Sequence, residues 1–140
     1  MPSDDHIHFK QSENRSIATS LWRGFLGKCP SCNTGKQFKG YLKVVNRCGT
    51  CGTDLSHHRA DDLPPYLTIF IVGHIIVGLV LLVERSAQLT TNEHMAIWIP
   101  MTIVLSLVLL QPLKGAVVGL QWALRMHGFE DEEEPQQPAE

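Results

Sequence analysis

The 140-residue sequence contains a stretch, Tyr66 to Val83, with no Lys, Arg, Asp or Glu. As a helix it rises about 27 Å, close to the hydrocarbon thickness of a bilayer. The absence of charge argues against a surface helix. A chain this short also has little else with which to wrap so long an all-round apolar rod in a soluble core. The first fifteen residues have acids and no apolar core, so no cleavable signal peptide is expected. Solenoid-period repeats, a phosphate loop and a nucleophile elbow are all missing, which removes the commonest enzyme signatures. Cysteine is confined to four positions, in two close pairs.

The net charge of −2 hides a split between the two ends of the chain. Nine of the twelve Lys and Arg precede Tyr66, whereas the tail from Glu130 is acidic. Residues 1–16 and 127–140 read as disordered tails, and a ligand role for His6 and His8 competes with simple solvation. Over residues 17–26, Ile17, Leu21 and Phe25 recur every four residues with Trp22 and Leu26 alongside, one apolar helical face. With Arg15 and Arg23 on headgroups it would lie in a membrane interface; packing against the next module is the equal alternative.

Cys29-Pro-Ser-Cys32 and Cys48-Gly-Thr-Cys51 are two Cys-x-x-Cys motifs, and fifteen residues separate them. Each pair can aim two thiolates at one tetrahedral centre if its turn is tight, as Pro30, Gly49 and Gly52 allow. Phe38, Tyr41, Leu42, Val44 and Val45 between them suit short strands. Residues 27–56 therefore read as a zinc ribbon, too small for a core and held by its ion. Iron in the same four-sulfur cage, two disulfides or a dithiol redox site are the competing readings. Lys36, Lys39, Lys43 and Arg47 give the ribbon a basic face suited to anionic lipid headgroups more than to nucleic acid.

Residues 57–65 hold His57, His58, Arg59, Asp61 and Asp62, a candidate second polar or metal site at the membrane surface. The plainer expectation is that Asp61 or Asp62 caps the first span, with Pro64 and Pro65 in its first turn. The first transmembrane helix is read at 66–83. Its His74 could ligate a metal or haem, relay protons, or bond across to Thr102 or Ser106. Residues 84–95 form a polar loop with a single Arg. The second span and an amphipathic extension occupy 96–126, with Pro100 in the first turn and Pro112 kinking the exit. Lys114, Gln121 and Arg125 fall on one side of that extension, and Trp122 marks the interface. Gly115 and Gly119 form a small-xxx-small pair, to pack against the first span or a partner helix. By the positive-inside rule the ribbon and both termini are cytoplasmic and the 84–95 loop periplasmic. A reducing cytoplasm favours metal over disulfides. The fold class is a membrane all-α hairpin of two transmembrane helices, with a small N-terminal cytoplasmic zinc ribbon of short β-strands.

Together, Cys-Pro-Ser-Cys, Phe-Lys-Gly-Tyr-Leu-Lys-Val, Cys-Gly-Thr-Cys-Gly, Asp-Leu-Ser-His-His-Arg-Ala-Asp-Asp-Leu-Pro-Pro-Tyr and Pro-Leu-Lys-Gly-Ala-Val-Val-Gly-Leu-Gln-Trp-Ala resemble a bacterial membrane family, domain of unknown function 983. The resemblance extends over about Gly24 to Phe129. It implies an inner-membrane protein with no assigned reaction. Its genomic association is with assembly of respiratory cytochrome oxidase. The expected function is a non-enzymatic assembly or adaptor factor with a membrane-protein partner. Copper or haem handling through the His and Asp cluster is the alternative, and a membrane enzyme the remaining one.

Overall fold

The computed structural model describes residues 15–126 and Phe129. The tails expected to be disordered, with His6 and His8, otherwise lie outside the described residues. The elements run α1 (Ile17–Phe25), β1 (Phe38–Gly40), β2 (Lys43–Val44), α2 (Leu63–Glu84) and α3 (Thr91–Ala123).

Ser16 starts α1, its hydroxyl accepting from the Thr19 N–H at 3.5 Å. Gly27 stops it in the left-handed region at φ +71°. The Gly27 and Lys28 amides then close back on Gly24 O and Arg23 O, both at 2.9 Å, which satisfies two end carbonyls. α1 does not pack through its apolar face, as one of the two readings had it, but docks through its smallest residues. Ser20 and Gly24 are buried, while Ile17, Trp22, Phe25 and Leu26 stay exposed.

α2 follows Asp62, which occupies the N-cap position without a side-chain capping bond. The expected cap fails for a chemical reason. A cap carboxylate accepts from the second or third helical amide, and here those are Pro64 and Pro65, which have none. Pro64, Thr68 and Val72, every fourth residue, are the buried positions of α2; most of its other residues, Ile69, Phe70, Val77, Leu81 and Leu82 among them, are exposed.

α3 begins five residues earlier than the expected second span. The Glu93 carboxylate accepts from both the Thr90 N–H and hydroxyl at 2.7 Å, half of a capping box, and that sets the start. Pro100 is therefore well inside the helix, not in its first turn, and the helix continues through Pro112. The turn shrinks to 85–90. Glu84 accepts from His94 Nε2 and His94 Nδ1 accepts from Trp98 Nε1, both at 2.9 Å, pinning the turn. Both α2 and α3 are long and apolar enough to cross a membrane.

No residue of α3 before Gly115 is buried, but Gly115, Val117, Val118, Gly119, Gln121 and Ala123 are. The extension read as amphipathic is in fact enclosed, Gln121 included. The core sits here: Val117 and Val118 meet Val44, Leu55, Ala60 and Phe129, with Phe38, Val45, Leu67 and Trp122 at its margin. α1 closes the other side, antiparallel, because Gly24 lies on Gly115 while Ser20 lies on Gly119. A Cβ on Gly24, Gly115 or Gly119 would run into the facing backbone. The small-xxx-small pair thus meets α1, not the first span or another protein. The reason is that α1 carries its own matching small pair four residues apart.

Replacing Gly24 by Ala should lower the unfolding midpoint of the detergent-solubilised protein. The overpacking cost of about 1–3 kcal/mol exceeds the ~1 kcal/mol that Ala gains over Gly in helix propensity. A midpoint equal to or above wild type would show that the two backbones can part freely.

Candidate metal centre

Each cysteine pair lies in a short hairpin. Lys28 pairs with Lys36 around the first, and Arg47 with Asp54 around the second. Within each, the residue after the second cysteine turns left-handed: Asn33 at φ 59° and Gly52 at φ 74°. Its amide bonds back to the carbonyl of the first cysteine, Asn33 N to Cys29 O at 2.9 Å and Gly52 N to Cys48 O at 3.0 Å. The two knuckles are local copies of one turn, and each points both sulfurs the same way.

The hairpins face one another. Cys29 Sγ is 3.7 Å from Cys51 Sγ, Cys32 Sγ is 3.7 Å from Cys48 Sγ, and all four sulfurs lie within 4.8 Å of one another. Four sulfurs each ~2.3 Å from a central zinc stand about 3.8 Å apart. A disulfide would need about 2.05 Å. All four cysteines are free thiols. The donor set and spacing fit a metal ion such as zinc.

Gly35 is what allows this approach. A Cβ there would collide with Cys48 Sγ and press on Thr50 Oγ1 at 3.3 Å, so a side chain would wedge the two knuckles apart. The Gly35 N–H also donates to Cys32 Sγ at 3.4 Å. That bond, ahead of the Thr34 amide, brings the Cys32 thiol down to about 6. Burial opposes ionisation of Cys48, but the Cys51 and Thr50 amides outweigh it and its thiol is also lowered. Burial dominates at Cys29 and pushes its thiol up. The site thus offers one ready thiolate, Cys32, beside one thiol, Cys29, that must give up its proton when an ion enters.

The ribbon is seated on α3 by polar contacts that periodicity does not reveal. Gln37, fully buried, donates from Nε2 to Gly115 O at 3.2 Å, and its Oε1 has no hydrogen-bond partner among the described residues. Gln121 grips the backbone of Arg59 from both sides, Oε1 accepting from Arg59 N at 3.0 Å and Nε2 donating to Arg59 O at 3.1 Å. Arg15 donates to Trp122 O and Phe129 O, and its guanidinium stands 4.4 Å from the Trp122 ring. Arg23 donates to Pro30 O and Ser31 O, both at 3.0 Å. These two arginines, expected on lipid headgroups, instead satisfy carbonyls at the end of α3 and in the first knuckle. A glutamine just before β1 and another inside an apolar helix were the only sequence signal available for the first two contacts.

The structure does not gather the side chains of the His and Asp cluster around one point. Among the described residues, the four cysteines form the one group of metal-type side chains close enough to share an ion. His58 donates from Nδ1 to Leu55 O at 2.7 Å, and His57 stands edge-on to Phe129 with its Nε2 3.9 Å from Asp54. Asp61 and Asp62 are exposed. Gln121 holds the loop through the backbone of Arg59. His74 also departs from expectation. It bonds neither Thr102, whose hydroxyl donates to Trp98 O, nor Ser106. Its Nδ1 lies 2.7 Å from Phe70 O one turn back, so Nδ1 carries the proton and Nε2 faces outward.

Residues 38–122, more than half of the chain, match the family described as "Protein of unknown function (DUF983)". The chain belongs to the DUF983 family. The matched region takes in Cys48, Cys51, the His and Asp segment and both long helices. It starts after Cys29 and Cys32, so the first half of this DUF983 metal centre rests on its own geometry. Human metabotropic glutamate receptor 8 is 32% identical over 88 residues, which is 53% of this chain and 10% of the receptor. The chain thus spans about a tenth of that curated relative. No solved structure matches.

Two outcomes follow from the geometry. Gly35→Ala should weaken zinc binding ~10–100-fold in competition with a chromophoric chelator while leaving helix content unchanged; wild-type affinity would disprove the wedge. Because Cys29 must lose its proton on binding, apparent zinc affinity should rise with pH above 7. The slope should be roughly tenfold per pH unit for each proton displaced. A flat profile between pH 7 and 8 would mean that no thiol is ionised by the metal.

Proposed function

We propose that this DUF983 chain is a bacterial inner-membrane protein. It crosses the bilayer as an α2–α3 hairpin with both termini cytoplasmic, and it uses one zinc ion to hold a rigid ribbon against the inner surface. Its role is that of a non-enzymatic assembly or adaptor factor. The observation that carries this is a contrast along α3. Its first two dozen residues are largely apolar and none of them is buried, while its last turns are enclosed by the ribbon and α1. A rod that is bare on one stretch and packed on the next suits two solvents, lipid and water.

Four thiolates around one zinc leave no open coordination position for a substrate or water, which favours a structural ion. Iron would fit the same sulfurs, but a reducing cytoplasm with available zinc supports the zinc reading. The positive-inside rule supports the orientation, with nine basic residues before Tyr66 against Arg85 alone in the turn. The exposed Lys36, Lys39, Lys43 and Arg47 provide a charged surface for anionic lipid or a protein partner. A respiratory oxidase is the client that the family resemblance implies.

The test uses tagged wild type and a Cys29→Ser/Cys48→Ser variant in their own membranes. Both should resist carbonate extraction. After mild detergent, wild type should carry ~one zinc per chain and the variant none. Oxidase subunits should co-purify with wild type and be lost from the variant. Equal recovery of those subunits, or none with either, would overturn the adaptor role. Release of wild type by carbonate would overturn the membrane reading.

A further inference from the structure

The membrane reading leaves one surface unexplained. On α1, Trp22 is 63% exposed and stacks on Phe25, with ring centroids 6.0 Å apart and planes 11° from parallel. Leu26 continues that edge. Tyr41, at the turn between β1 and β2, is 54% exposed. A small metal ribbon in water gains nothing by displaying these side chains.

Their level along α3 is informative. α1 runs antiparallel to α3 with Gly24 against Gly115, so Phe25 and Leu26 lie at the end of α1 nearest the bare part of the rod. The hairpin turn goes further. The Tyr41 hydroxyl donates to Leu107 O. Leu107 is eight residues before Gly115, about 12 Å along the helix axis. The Tyr41 ring therefore lies beside the apolar, exposed stretch of α3, not above it. A hydroxyl placed in lipid needs a partner within the protein, and this one has it. Lys39 and Lys43 flank the turn and are exposed, long enough to return their ammonium groups to phosphate level. Arg15 and Arg23 already serve carbonyls, so the lysines carry the headgroup-facing charge here.

We propose that Trp22, Phe25, Leu26 and Tyr41 form one lipid-inserted edge. The β1–β2 turn dips into the acyl boundary of the cytoplasmic leaflet while Lys39 and Lys43 engage anionic headgroups. The occupant is bilayer lipid, because the edge is continuous with the exposed faces of α2 and α3 and carries the opposite charge to an anionic leaflet. The ribbon is then pinned to the membrane at its turn as well as through α3, and the four-sulfur centre is held at a fixed height over the surface. This rests on the bilayer-spanning reading of α2 and α3.

The test is fluorescence of the full zinc-loaded chain in vesicles of phosphatidylcholine and phosphatidylglycerol. The acyl chains carry bromine near the carbonyl end. Three reporters are compared: Trp22 alone (Trp98→Phe, Trp122→Phe), Trp98 alone (Trp22→Phe, Trp122→Phe), and Tyr41→Trp with all three native tryptophans changed to Phe. Zinc content confirms folding of each. Loss of emission from Trp22 and from the Tyr41→Trp reporter, relative to unbrominated vesicles, is the expected result. Loss from the Trp98 reporter alone would overturn the lipid-inserted edge, leaving the surface to a protein partner while the spanning helices stand. No loss from any reporter would overturn the membrane reading and the edge with it. Lys39→Glu/Lys43→Glu should shift the Tyr41→Trp emission to longer wavelength in phosphatidylglycerol-containing vesicles; no shift would remove headgroup attraction from the proposal.

Discussion

Three parts of the chain meet at Gly115, a residue with no side chain. The α1 backbone lies on it through Gly24, the Phe38 ring would stand 3.2 Å from a Cβ built there, and Gln37 bonds its carbonyl. Only the absence of a Cβ lets a helix and a β-ribbon approach one face of α3 together. The cysteines shape the ribbon internally, but Gly115 determines where the ribbon sits. Without that contact, a metal-held knob would hang from a flexible segment. With it, knob, α1 and helix end share one core around Val117 and Val118.

Glycine does parallel work inside the ribbon. Gly35 lets the second knuckle's sulfur come close to the first, as Gly115 lets α1 come close to α3. In both places stability comes from polar groups that need short range: thiolate to metal and amide in one, side-chain amide to carbonyl in the other. The ribbon has few apolar residues of its own. Val44 and Leu55 are its buried contributions, and both pack outward onto α3. Its inner side is organised by sulfur and its outer side by the helix. Metal loss and detachment from α3 are therefore separate failures.

Much of this was legible in the chain because it depends on residue type and spacing. The missing charge of Tyr66–Val83 marked an apolar helix, and two Cys-x-x-Cys pairs marked a four-sulfur cluster. The two strands fell within the apolar stretch between those pairs. What stayed hidden depends on partners far along the sequence. The apolar periodicity of Ile17, Leu21 and Phe25 marked the face left outward and not the one that docks on α3, since the docking face is Ser20 and Gly24, whose smallness carries no hydrophobic signal. Gln121 looked like part of a polar stripe because its strand-like grip on Arg59 spans 62 residues. Asp62 was rightly placed at the start of α2, but the capping bond was ruled out by the very prolines that marked the helix start. His74 looked like a cross-helix hydrogen bonder because depth alone put it near Thr102 and Ser106. His74 and Thr102 instead each take the carbonyl one turn back in their own helix: His74 on Phe70 O, Thr102 on Trp98 O.

Among the basic residues before Tyr66, two arginines are drawn into the fold and the described lysines are not, and that difference follows from their chemistry. A guanidinium is planar and forked, so it can serve two carbonyls at once. Arg15 and Arg23 do so, on opposite flanks of α1. An ammonium is compact and strongly hydrated, and Lys28, Lys36, Lys39 and Lys43 all remain exposed. The positive-inside count acts on the chain as it inserts, before these bonds exist, so both residue types contribute to the proposed orientation. The field at the finished surface is a different quantity. It comes from the lysines, from Arg59 and from Arg47, whose guanidinium lies 3.9 Å from Asp54 and is partly offset by it. Arg15 and Arg23, which help to choose the side of the membrane, are thus withdrawn into structure once the fold forms, and the lysines left facing outward are well suited to loose, exchangeable contact with anionic groups.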